Sequence, residues 1–187
     1  MEGTLTERIS NRDWQNCYTA LNLDGWSVLR NLIDEQECDR VAGLYGTSAL
    51  FRSHVVMSRH GFGRGEYRYF AYPLPSLVRQ LRASLDPHLA PLANEWHCRM
   101  GMRGEFAEEH GAYLEECHKA GQQRATPLLL RYGEGDYNCL HQDLYGEEVF
   151  PLQVAILLSD PHKDFEGGEF VVTEQRPRMQ SRVSVVP

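Results

Sequence analysis

The sequence predicts an α+β fold in which helices from the first half pack on one side of a sheet or partial barrel from the second half. Residues 1–125 show mainly amphipathic helical spacing. Residues 126–187 instead hold short β-rich runs separated by glycine, proline and aspartate turns. Because the helices precede the strands, we expect a single domain over 1–187, with 1–125 as a mainly helical support and 126–187 as the β region.

Apolar spacing predicts four helices: over 13–23, after Asp34, from Ser76 to Trp96, and over 105–119. Asp34 has Glu37 three residues on, as in a capping box. Pro87 and Pro91 interrupt the third helix, so we expect it to kink or to divide in two. Between the first two helices, residues 24–34 read as a short strand after a glycine turn.

Four apolar runs predict the strands of the second half: "TPLLLRY" (126–132), "LQVAILLS" (152–159), "GGEFVVTE" (167–174) and "SRVSVVP" (181–187). Ahead of them, "RHGFGRGEYRYFAYP" (59–73) interleaves arginines with aromatic residues. It reads either as a substrate-recognition loop or as a glycine-rich connection followed by a strand. We favour the plain connection.

Composition and charge exclude several classes of protein. A net charge of -7 argues against binding nucleic acid through a basic surface. Five scattered cysteines without a C-x-x-C pair support neither a disulfide framework nor a zinc site. No apolar run is long enough to span a bilayer, and the N-terminus has no signal-peptide core. We therefore expect a cytoplasmic protein without membrane partners.

The segment "GDYNCLHQDLYGE" (135–147) contains the strongest chemical signal. Residues two apart in a strand point to the same face, so His141 and Asp143 would present an imidazole nitrogen and a carboxylate oxygen side by side. Such a pair is two-thirds of the 2-His-1-carboxylate triad that holds non-haem Fe(II) in oxygenases. Taken alone, H-x-D is more often a pair of surface polar residues.

The surroundings of H-x-D strengthen the metal interpretation. Upstream stands "RYGEGDYN", and downstream come "FPLQVAILLSD" and "DFEGGEF". This order resembles the 2-oxoglutarate- and Fe(II)-dependent dioxygenases of the prolyl-hydroxylase-like group, in a bacterial branch without a substrate that we can assign. The resemblance covers about residues 20–187. It implies a double-stranded β-helix, a jelly-roll of the cupin type, lacking its last strands.

The resemblance implies roles for five residues. His141 and Asp143 would bind the metal, while Tyr132, Tyr137 and Gln153 would line the cofactor pocket, one tyrosine bonding the co-substrate carboxylate. Fe(II), 2-oxoglutarate and dioxygen would hydroxylate an unactivated C–H bond and release succinate and CO2, with ascorbate as a candidate reductant. The substrate would be a small molecule or a protein side chain.

Two of the family's functional residues have no match in this sequence. The second histidine ligand and the arginine for 2-oxoglutarate would lie beyond residue 187, so we expect this chain to be inactive alone. His162 lies in a turn-rich loop, and Arg131 points away from Tyr132 on its strand. Arg176, Arg178 and Arg182 belong to the connection after the G-G-E-F strand. Two alternatives stay open: a non-catalytic binding module on the same fold, and a cupin-type barrel without 2-oxoglutarate.

Overall fold

A computed structural model describes residues 3–102, 104–143, 149–175 and 180–187. The described residues divide into two compact units, one within 1–34 and 159–187 and the other within 35–158. Helices and small antiparallel sheets are both present, as the sequence predicts. The single domain over 1–187 stays a prediction. None of the helices among the described residues combines the length and apolar character needed to cross a bilayer.

The first unit contains two helices and a hairpin: α1 (Leu5–Ser10), α2 (Trp14–Asp24), β6 (Phe170–Glu174) and β7 (Arg182–Val186). Thr4 caps α1 with a capping box, in which Glu7 accepts a hydrogen bond from the Thr4 backbone N–H. The Trp14 indole N–H donates to the buried carbonyl of Ile9 and fixes α1 against α2. β6 and β7 confirm two of the predicted strands.

The helices of the second unit are α3 (Glu35–Gly43), α4 (Ser76–Arg99) and α5 (His110–Lys119). Helix α3 begins directly after Asp34, as predicted. Helix α4 is continuous through Pro87 and Pro91, so the division into two helices is wrong. The two prolines are four residues apart and thus lie on one side of the helix, which confines the missing backbone hydrogen bonds to that side.

A three-stranded antiparallel sheet in the order β1-β3-β4 forms the centre of this unit: β1 (Phe51–Val56), β3 (Glu66–Phe70) and β4 (Leu128–Arg131). Phe70 and Leu129 are buried with Val41 of α3 in one apolar cluster. Leu77 of α4 packs against the same cluster. The helices therefore bury one face of the sheet, which follows from the apolar stripes in their sequences.

Two further strands form a separate short ladder: β2 (Gly63–Arg64) and β5 (Tyr137–Asn138) are antiparallel, with Gly63 opposite Asn138. Gly63 has φ +121°, and a Cβ there would lie 2.2 Å from the carbonyl oxygen of Tyr137. Only glycine permits this approach. The ladder joins the glycine-rich segment after β1 to the segment that leads into H-x-D.

Two predicted strands are wrong in the structure. Residues 24–34 form no strand, and residues 152–159 have no regular secondary structure. A strand-like composition favours extended backbone, but a strand also needs a partner backbone to pair with. Neither segment has such a partner among the described residues. Three small sheets and no barrel occur in the described parts of the chain, so the jelly-roll is not confirmed.

Candidate metal centre

His141 and Asp143 lie just beyond β5, in irregular backbone rather than within a strand. Their side chains nevertheless meet, because Nε2 of His141 is 3.6 Å from Oδ1 of Asp143. Both side chains are close to half exposed, at 48% and 40%, so an ion could reach them from solvent. We expected His141 and Asp143 to lie in a strand, and in the described residues they do not. Their side chains are nevertheless side by side, which is the arrangement that the strand was expected to produce.

A backbone carbonyl fixes the proton on the His141 ring. The Nδ1 atom is 2.7 Å from the carbonyl oxygen of Cys139, which can only accept a hydrogen bond. Nδ1 therefore carries a proton, and when the ring is neutral its lone pair lies on Nε2, the atom on the side of Asp143. Metal-binding histidines are commonly oriented in this way by a partner on the other ring nitrogen.

Gln153 orients the carboxylate of Asp143, as the Cys139 carbonyl orients the His141 ring. Its Nε2 donates to Oδ2 of Asp143 over 2.8 Å, and this leaves Oδ1 directed toward His141. A neutral imidazole nitrogen and a carboxylate oxygen are a donor set that suits Fe(II). The observed orientation of both donors thus fits a divalent ion of this kind. The predicted residues His141, Asp143 and Gln153 are brought together.

An aromatic cluster holds the segment that carries Gln153. Phe150 and Leu152 pack on a buried group formed by Ala90, Ala93 and Phe106. The rings of Phe150 and Phe106 are 4.8 Å apart at 61°, an edge-on contact. Because Gln153 follows Leu152 directly, packing in this cluster determines where the amide lies.

The two predicted tyrosines contact the β2–β5 ladder and its surroundings rather than the pair itself. The ring of Tyr132 packs on the backbone of Gly65, where an added Cβ would lie 2.8 Å from Cδ1 of the ring. Burial raises the pKa of the Tyr132 hydroxyl, so it stays a hydrogen-bond donor through neutral pH. Tyr137 is 55% exposed in β5, opposite Arg64. No contact among the described residues joins either tyrosine to His141 or Asp143.

No third His, Cys, Asp or Glu side chain joins the pair within the parts of the chain that the structure describes. His162 is exposed at a position with φ +70°. Arg131 contacts Glu66, its partner across the β3–β4 ladder, at 3.6 Å. Arg176 and Arg178 lie outside the described residues, and Arg182 begins β7 opposite Glu174.

Cys139 is the residue that sequence reasoning missed. Its carbonyl orients His141, while its N–H donates to the carbonyl of Phe62 over 2.9 Å. The only sequence signal for it was its position two residues before the histidine, where a carbonyl can reach back to the ring. No pattern in the sequence indicates the hydrogen bond between Cys139 and Phe62, because the two residues are far apart in the chain.

Comparison with known proteins places the chain among oxygenases. Residues 65–187 match the family model described as "Oxygenase, catalysing oxidative methylation of damaged DNA". Two uncharacterized proteins of Mycobacterium tuberculosis, from different strains, are each 50% identical over 140 residues. The match covers 75% of this chain and 55% of either relative, so the chain spans about half the length of these relatives. No solved structure matches.

The family match corrects two expectations. The assignment to the prolyl-hydroxylase-like group is wrong, because the matching oxygenase family is a different one. The expectation that nucleic acid is an unlikely partner is also wrong, since the family description names damaged DNA. Net charge misled us because it sums over the whole chain, whereas nucleic acid is bound by local patches.

Proposed function

Because the chain belongs to this family of oxygenases, we propose that it is an Fe(II)- and 2-oxoglutarate-dependent dioxygenase acting on damaged DNA. The single observation that carries the metal assignment is the His141–Asp143 pair, with Nε2 and Oδ1 3.6 Å apart and oriented from behind by Cys139 and Gln153. Bound iron would supply the activation of dioxygen.

The reaction we propose is hydroxylation of an unactivated C–H bond. One atom of dioxygen enters the C–H bond, and the other enters succinate as 2-oxoglutarate loses CO2. If the C–H bond belongs to a methyl group on a base nitrogen, the hydroxymethyl product breaks down to formaldehyde and the free base. A damaged base carrying such a group therefore fits both the proposed chemistry and the family description.

The residues of this chain would bind and orient the reactants. His141 and Asp143 would hold the metal, and Gln153 would keep Oδ1 of Asp143 turned toward it. The protonated hydroxyl of Tyr132 or Tyr137 would donate to a carboxylate of 2-oxoglutarate. Ascorbate would serve as reductant for iron oxidised without substrate.

We also propose that the β region belongs to a double-stranded β-helix. The support is the run Val154, Ile156 and Leu157, whose side chains are 49%, 39% and 62% exposed. An exposed apolar run of this composition is typical of a strand that pairs on both sides in a barrel. It has no such partner among the residues described.

Metal binding tests the proposal directly. We expect anaerobic addition of Fe(II) and 2-oxoglutarate to give a weak visible charge-transfer band that His141→Asn abolishes. His162→Asn is the matched control, because it removes an exposed imidazole and asparagine tolerates the positive φ at that position. An unchanged band in His141→Asn would overturn the metal assignment.

Exposure to dioxygen then separates an oxygenase from a binding module. Succinate released by the metal-loaded chain above the level of His141→Asn would identify an oxygenase and would overturn the expectation that this chain is inactive alone. A stable band without any succinate would agree with that expectation and with the non-catalytic module.

A further inference from the structure

A closed loop of glycine-rich sequence stands beside the candidate metal centre. We call residues 57–65 the glycine loop. Met57 at its start is fully buried, and its N–H donates to the carbonyl of Gly65 at its end over 3.0 Å. The N–H of Phe62 donates back to the carbonyl of Met57 over 3.2 Å. These bonds close the loop on itself and anchor its base in the core.

The tip of the glycine loop is fixed to the segment that carries the metal pair. The Phe62 carbonyl accepts the N–H of Cys139, whose own carbonyl accepts the His141 ring proton. Gly63 and Arg64 continue the contact through the ladder with β5. One peptide segment therefore connects the loop to the imidazole, so a ligand held on the loop would be held at a defined distance from His141.

The side chains of the glycine loop form a cationic and aromatic surface. Arg59 and Arg64 are exposed, and neither has an ion-pair partner among the described residues. The exposed ring of Phe62 stacks on His60, with centroids 5.3 Å apart at 22°. Residues 51–65 contain no Asp or Glu, although the chain has a net charge of -7.

We infer that the glycine loop binds a single-stranded segment of DNA, with phosphates on Arg59 and Arg64 and a base stacked on Phe62. This inference rests on the proposed function. Cationic side chains beside an exposed aromatic ring are the combination that single-strand binding uses. The ring needs an unstacked base, which a single strand offers and a closed duplex does not. The loop would thus hold nucleotides that flank the reacting base.

Binding of a fluorescent single-stranded oligonucleotide of about 16 nucleotides tests the inference by anisotropy. We expect the full chain with Arg59→Ala and Arg64→Ala to bind at least about five-fold more weakly at 0.1 M salt, with a salt slope lower by about 1.4. Phe62→Ala is expected to weaken binding about five-fold or more, and Phe62→Tyr to retain it.

The matched control removes two exposed arginines elsewhere in the same unit. Arg79→Ala with Arg124→Ala changes net charge equally and leaves the glycine loop intact. We expect this control to bind like the wild type. Equal weakening of both double variants would overturn the inference, since net charge alone would explain it. Wild-type affinity in the loop variants, or no binding by the wild type at 50 mM salt, would also overturn it.

Failure of this inference is distinguishable from failure of the proposed function. The oligonucleotide is tested without metal or 2-oxoglutarate, whereas the metal test is read on His141→Asn without DNA. Circular dichroism and thermal unfolding of each loop variant show whether it folds. Phe62→Tyr keeps the aromatic ring, so its binding can be measured even if Phe62→Ala fails to fold.

Discussion

Gln153 holds Oδ2 of Asp143 through a 2.8 Å hydrogen bond and thereby leaves Oδ1 facing His141. This relationship makes the orientation of the carboxylate depend on a residue ten positions away in the sequence. It also makes the candidate metal centre testable without touching a proposed ligand.

Replacing Gln153 tests whether this orientation matters. We expect Gln153→Ala to weaken Fe(II) binding about 10- to 100-fold, because losing a hydrogen-bond partner behind a ligand lets that ligand rotate. Calorimetric titration with Fe(II) under anaerobic conditions measures the change. Gln123→Ala removes an exposed glutamine away from the pair and serves as the control. Equal affinities of the two variants would contradict the positioning role.

The packing of Phe150 should influence the same centre from a greater distance. We expect Phe150→Ala to lower the free energy of unfolding by about 2 kcal/mol, less than for a fully buried ring because Phe150 is half-buried. Fe(II) affinity should fall as well, since the cluster positions the segment before Gln153.

Urea unfolding and the Fe(II) titration measure the two effects of Phe150→Ala. Phe170→Ala removes a ring that is 57% exposed, and we expect a smaller loss of stability with unchanged metal affinity. A stability loss in Phe150→Ala without any change in affinity would separate the cluster from the metal centre.

Gly63 should tolerate no side chain. We expect Gly63→Ala to lower the free energy of unfolding by at least about 2 kcal/mol, because φ is +121° and a Cβ would meet the Tyr137 carbonyl at 2.2 Å. Gly111→Ala is the contrasting control. Gly111 is exposed in α5 with nothing within 4 Å of an added Cβ, and the substitution should stabilise the fold by about 0.5–1 kcal/mol. Urea unfolding measures both effects. A Gly63→Ala variant as stable as the wild type would contradict the close approach of Gly63 to the Tyr137 carbonyl.

Glu66 should make stability depend on acid pH. Its hydrogen bond from His54, 2.7 Å long, lowers the pKa of Glu66 below its model-peptide value of 4.5. A carboxyl whose folded-state pKa is lowered stabilises the fold above the unfolded-state pKa, and this contribution is lost as pH falls through the folded-state value.

We therefore expect Glu66→Gln to reduce the drop in unfolding free energy between pH 7 and pH 3, by less than about 1 kcal/mol because the pair is near the surface. Urea unfolding at both values measures it. The exposed Glu105 provides the control through Glu105→Gln. Identical pH dependence in the two variants would show that the His54 bond contributes nothing.

The types of most elements could be predicted from the sequence, because amphipathic spacing is a local property. Helices α2, α4 and α5 overlap their predicted ranges, and the stripe residues Leu81 and Leu85 are buried. The strand predicted over 152–159 does not form, because strand pairing is not a local property. Its composition favours a strand, but pairing depends on a partner backbone that the composition cannot specify.

The residues of the candidate site could be named from the sequence, and their roles in binding a metal or cofactor stay predictions. His141, Asp143 and Gln153 are in contact with one another in the structure. The described residues 139–143 form no strand, and the hydrogen bond from the His141 ring to the Cys139 carbonyl was not foreseen. The family description contradicts the rejection of nucleic acid, because net charge is a sum over the chain and does not report local patches.

By itself, the sequence determined the residue types in H-x-D, their spacing and the types of several helices and strands, since these depend on neighbouring residues. It did not indicate that β1 and β2 precede α4 and α5. Only the tertiary structure decided which ring nitrogen of His141 is free and which oxygen of Asp143 faces it. It alone also joined Phe62 to Cys139 and so brought the glycine loop close to His141. These outcomes depend on hydrogen bonds and packing between segments distant in the chain, which no local pattern encodes.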